Sequence, residues 1–117
     1  MNTRLLCPDQ LAEIRALAQV RPGLPEQMLV LFREAASEAL DGCLGAWLNS
    51  DASQLHSFAH RLKGTAASFG AVELREKAEQ LETDAGHEAH IERQRLLDIE
   101  RILEATAQAY SDWLQQP

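Results

Sequence analysis

The chain has 117 residues, 45% of them hydrophobic and 25% charged, and carries a net charge of −7 at pH 7. That length holds one domain with a single core, and that composition excludes a disordered chain. The acidic balance leaves no basic stripe for phosphates, which argues against nucleic-acid binding, and no apolar run nears the ~20 residues of a membrane span.

Alanine, leucine, glutamate and glutamine dominate, while isoleucine, valine and aromatic residues are scarce, so helix is expected throughout. The N-terminus lacks the basic-then-apolar pattern of a signal peptide. Cys7 and Cys43 lie far apart, form no C-x-x-C and read as reduced thiols. A cytoplasmic domain is the expectation.

Residues 1–7 read as a flexible lead-in, followed by one domain over residues 8–115. Pro8-Asp9 opens a short helix with Leu11, Ile14, Leu17 and Ala18 at helical spacing, ending near Val20. Arg21-Pro22-Gly23-Leu24-Pro25 breaks the chain. A long helix is predicted from Pro25 to Leu48. Met28, Phe32, Ala35, Ala39, Cys43 and Ala46 form its stripe, which Leu31, Leu40, Leu44, Trp47 and Leu48 widen. Gly42 and Gly45 inside this helix indicate close packing or a bend, with a break into two helices at Gly42 as the alternative.

Asn49-Ser50-Asp51 is the next turn, and Asp51 with Gln54 resembles a capping box that starts a third helix. Phe69-Gly70 ends it, glycine suiting a left-handed position after the last turn. A fourth helix over Ala71–Ala85 turns Leu74, Ala78, Leu81 and Ala85 inward, with Glu73 and Lys77 paired on its surface. Gly86-His87-Glu88-Ala89-His90 connects to a last helix over Glu92–Leu114, with Leu96, Ile99, Leu103, Thr106, Tyr110 and Trp113 inward. Nothing reads as a strand. The fold class is all-α: an antiparallel four-helix bundle, with the first short helix capping one end.

On the third helix Leu55, Phe58, Leu62 and Phe69 share one side, and His60 falls nearly opposite, toward water. Gly64 sits one turn on and about 40° round, with Ala67 closer still after two turns. An exposed helix face seldom keeps an interior glycine, which costs about 1 kcal/mol against alanine. An imidazole thus stands on a cleared patch with Lys63 at its edge. Neutral imidazole is a good nucleophile near pH 7. Taking a phosphoryl group from a protein-borne aspartyl phosphate requires an exposed ring, small neighbours and nearby positive charge, and His60, Gly64, Ala67 and Lys63 meet all three. The Walker phosphate loop, G-x-S-x-G and H-E-x-x-H are all absent.

Ala59-His60-Arg61-Leu62-Lys63-Gly64, then five residues, then Gly70-Ala71, resembles the signature of histidine-containing phosphotransfer (HPt) domains of bacterial two-component phosphorelays. Leu74, Ala78 and Leu81-Glu82 look like that family's next helix, and Asp51 with Leu55 like its lead-in. The resemblance spans residues 25–115 in pattern and 51–82 in motif. It implies a helical bundle that relays phosphoryl groups between receiver-domain aspartates of response regulators, with His60 phosphorylated, Lys63 neutralising the phosphoryl group and Gly64 keeping the approach open. His56, Ser57, Arg61, Ala67 and Ser68 would line the partner's docking patch. No cofactor of the chain's own is implied: the partner receiver supplies Mg²⁺. The partners implied are receiver domains or a hybrid sensor kinase, met by a monomer standing alone or cut from such a kinase.

Two other readings compete. One is a helical docking module that binds a receiver or kinase without being phosphorylated. The other is a metal-binding bundle, since His56 with His60 and His87 with His90 have helical pair spacings.

Overall fold

Apolar residues at helical spacing, broken by turn signals, produce five helices in the computed structural model, which describes residues 4–116. They are α1 (Pro8–Ala18), α2 (Leu24–Leu48), α3 (Ala52–Phe69), α4 (Val72–Gly86) and α5 (Arg93–Leu114). The ends obey local chemistry. Asp51 accepts a hydrogen bond from the Gln54 backbone N–H at the start of α3. Gly70 closes α3 at φ 76°, a left-handed conformation that costs glycine no Cβ clash. No strand forms among the described residues; Leu6 and Ala71 make an isolated antiparallel bridge.

Helices α2 and α4 each pack against α3 and α5, so the four close into a ring of neighbours. The pairs run antiparallel. Phe69 near the end of α3 stacks on Phe32 in the first half of α2 at 4.2 Å, and Tyr110 late in α5 donates a hydrogen bond to the Pro25 carbonyl at the start of α2. Phe32, Phe69, Tyr110 and Trp113 thus form one aromatic chain at this end of the bundle. Helix α1 closes the same end: Leu11 and Ile14 are buried, and the Arg15 guanidinium lies over the Trp113 ring while donating to its backbone carbonyl.

Several sequence expectations are corrected. The flexible lead-in does not hold for residues 4–7, while residues 1–3 lie outside the described residues. The Leu6 side chain is fully buried, and backbone bonds run from Cys7 N to Gly70 O, Val72 N to Leu5 O and Glu73 N to Arg4 O. Burying one leucine and pairing three amides outweighs what the short segment gains from freedom. Leu17, Leu31 and Leu48, assigned to apolar stripes, are 56%, 57% and 74% exposed. Ala35 is exposed too, Ala36 taking the core position. Glu73 meets Arg4 across the chain rather than Lys77 one turn on.

Helix α2 runs unbroken through Gly42. A Cβ there would overlap the Phe58 ring, so this glycine permits the close packing of α3 on α2. Gly45 differs: a Cβ there meets nothing within 4 Å.

Candidate functional site

Helix α3 lies between α2 and α4 and buries Leu55, Ala59, Leu62, Ala66 and Phe69. That orientation turns His60 outward, its side chain 65% exposed. Gly64 one turn later is exposed as well, and a Cβ there would meet nothing within 4 Å. Ala67 continues the same low, exposed strip. The cleared patch deduced from helical spacing is therefore a physical feature of the surface.

Sequence reasoning missed the group that holds the ring. Glu82 of α4 places Oε2 2.5 Å from His60 Nδ1 and Oε1 2.7 Å from Lys63 Nζ. Its side chain is only 12% exposed, and that of Lys63 29%. The Lys63 hydrogen bond draws the Glu82 carboxyl below its ordinary value; partial burial opposes this, and the His60 hydrogen bond adds to the lowering. An ionised carboxylate only accepts hydrogen bonds, so neutral His60 carries its proton on Nδ1 and leaves the Nε2 lone pair bare. No partner reaches Nε2 among the described residues. A signal for Glu82 existed. It stands one turn after Ala78 beside Leu81, an acid on the inward stripe of α4, and a buried acid needs partners.

The remaining predicted residues divide. His56 is exposed on the same flank as His60, its Nδ1 2.9 Å from the Glu82 backbone carbonyl. Ser57 is exposed beside it. Arg61 turns the other way, pairing with Glu38 of α2 at 3.3 Å above the Phe58 ring. The Ser68 hydroxyl donates to the Gly64 carbonyl at 3.0 Å, a local back-bond within the helix. Beyond Arg61, an apolar groove between α2 and α3 is lined by Met28, Leu31, Ala35 and Thr65, giving the exposed Leu31 and Ala35 a common surface. Of the histidines proposed for a metal, His87 turns Nδ1 to the Thr83 carbonyl, and among the described residues no three His, Cys, Asp or Glu side chains gather as a metal site.

An exposed imidazole, a lysine and a steric clearing lie together on one face of a helical bundle, and the chain matches a known family. The Hpt domain family matches residues 27–113. The chain belongs to the Hpt domain family. Its structure is similar to the crystal structure of histidine-containing phosphotransfer protein B (HptB) from Pseudomonas aeruginosa PAO1. The TM-score is 0.82 and the identity 25%, over 97% of each chain. A comparison with curated protein sequences gives no match. As an Hpt domain the chain serves histidine phosphotransfer in phosphorelays, and Hpt domains are phosphocarriers that meet receiver domains and kinases. Among its described residues no helix is long and apolar enough to cross a membrane.

Proposed function

We propose that His60 Nε2 is the atom that carries the phosphoryl group between receiver aspartates. The observation that carries this reading is the ring itself: Nδ1 is tied to the Glu82 carboxylate, and Nε2 has no partner among the described residues, with open ground at Gly64 one turn on. In the forward step the Nε2 lone pair forms the N–P bond as the O–P bond to the receiver's aspartate breaks, and the aspartate leaves as a carboxylate. The proton on Nδ1 stays in place, so the phosphorylated ring is cationic. The Glu82 carboxylate balances that charge through the same hydrogen bond. Onward transfer reverses the step with a second aspartate.

Lys63 serves the phosphoryl oxygens from one side while keeping Glu82 ionised. Gly64 and Ala67 let a receiver approach within bonding distance. The Mg²⁺ that accompanies the reaction belongs to the receiver, and this chain acts as a carrier rather than an enzyme with its own nucleotide site. His56, Ser57, Arg61 and Ser68 frame the docking patch, Arg61 having to leave Glu38 to meet an acidic receiver rim. We assign the domain to the cytoplasm as a monomer, standing alone or within a hybrid sensor kinase; its two free cysteines suit a reducing compartment.

The test is transfer from a phosphorylated receiver domain, with acid-labile, base-stable phosphate mapped on this chain. Label on the parent and none on His60→Gln is the expected result. Equal labelling of His60→Gln would overturn the assignment. A parent that binds the receiver yet takes no label would favour the docking module.

A further inference from the structure

His56, His60 and Lys63 stand at positions i, i+4 and i+7 of α3, and all three end on one residue of α4. His60 and Lys63 take the two carboxylate oxygens of Glu82; His56 takes its backbone carbonyl at 2.9 Å. That carbonyl lies within α4, where the N–H of Gly86 is its helical partner. A carbonyl oxygen has a second lone pair, and a carbonyl only accepts, so His56 must donate through Nδ1–H. The bond rescues no orphaned group. What it adds is registration of α4 against α3 at the residue that orients the reacting ring.

Gly86 shows that the contact is built in. A Cβ at that position would stand 3.1 Å from His56 Nδ1 and 3.4 Å from Cε1, closer than most real Cβ contacts. The missing side chain is the notch in which the imidazole sits. We infer that His56, seated against Gly86, is a positioning residue for phosphotransfer: it pins the Glu82 backbone so that the Glu82 carboxylate reaches His60 Nδ1 and holds the ring with Nε2 outward. The inference rests on His60 being the carrier, but its geometric half does not. Without the His56 bond, Glu82 keeps Lys63 while losing one of its ties to α3, and the distance from its carboxylate to His60 is no longer held from both ends.

The experiment uses the full chain with ¹⁵N-labelled histidine. Two-bond ¹H–¹⁵N spectra at about pH 8.5, where imidazole is neutral in general, report which ring nitrogen of His60 bears the proton. Phosphoramidate, a small donor that needs no docking surface, reports the labelling rate of His60. The parent is expected to show the Nδ1–H tautomer alone. His56→Ala should give a mixture of tautomers and about 10-fold slower labelling, less than the ~100-fold that a misplacement of about 1 Å costs a reacting group. His56→Asn places an amide N–H near the position of Nδ1–H and should restore both. Gly86→Ala, which keeps His56 but fills its notch, should move both readouts in the direction of His56→Ala and serves if that variant does not fold. Parent-like tautomer and rate in both His56→Ala and Gly86→Ala overturn the inference. If His56→Ala shifts the tautomer while the parent takes no label at His60, the carrier assignment fails and the positioning geometry stands.

Discussion

Gly64→Ala separates stability from function in one substitution. Gly64 lies inside α3 with ordinary helical backbone, and its added methyl group would point into open space. Replacing an exposed, interior helical glycine by alanine gains about 1 kcal/mol. At about 2.1 cal/mol/K per residue, unfolding this 117-residue chain carries an entropy of about 0.25 kcal/mol/K, so the midpoint should rise by about 4 °C. Function should move the opposite way. The methyl stands one turn from His60, where the proposed transfer brings a receiver to bonding distance, and a displacement of about 1 Å in such a geometry costs about 100-fold. Transfer from a phosphorylated receiver should therefore slow by about 10- to 100-fold, while labelling by phosphoramidate stays close to that of the parent. Gly45→Ala is the control: it adds a methyl to another open helical position, away from His60, and should raise the midpoint with transfer unchanged. A Gly64→Ala protein that gains stability yet accepts phosphate from a receiver at the parent rate would refute the idea that the clearing serves docking.

Gly42→Ala should do the reverse in thermal unfolding, lowering the midpoint despite the same gain in helix propensity, because its Cβ would overlap the Phe58 ring. Lys63→Ala should slow receiver transfer by about 10-fold without abolishing it, since in the proposed step the lysine would stabilise charge but form no bond; a parent-like rate in single-turnover assays would demote it to an anchor for Glu82. The Glu82 carboxyl titrates below its unfolded value, so its stabilising contribution is complete above the ordinary carboxylate range and is lost as pH falls through the depressed value. The parent should accordingly exceed Glu82→Gln by about 1–2 kcal/mol at pH 7, with the gap closing in acid; chemical denaturation from pH 7 to pH 3 measures it. Burial pushes the Cys43 thiol up to about 11 and removes it from solvent, so an aromatic disulfide reagent should label half-buried Cys7 in the native state and reach Cys43 only on unfolding.

Much of the site was legible because it lies on one helix. The relative angles of His60, Lys63, Gly64 and Ala67 follow from 3.6 residues per turn, and the composition of the opposite face says which side is buried. Glu82 was harder. It stands 22 residues from His60 on a different helix, and only its place on an apolar stripe hinted at a partner. Leu17, Leu31, Leu48 and Ala35 were misplaced for a related reason: periodicity marks an apolar stripe but not how much of its width a neighbouring helix covers.

The glycines mark the boundary between the two levels of information. By itself the chain determined five helices, the Asp51 cap of α3, the left-handed turn at Gly70 and an imidazole facing water beside Gly64, because each depends on interactions within a few residues. Only the tertiary structure decided that Gly42 receives the Phe58 ring, that Gly45 faces empty space, that Gly86 seats His56, and that Leu6 and the segment around it dock against the α3–α4 turn. A glycine reads the same in all these places. What distinguishes them is which side chain another helix brings within 4 Å, and helix packing sets that distance, not helix periodicity.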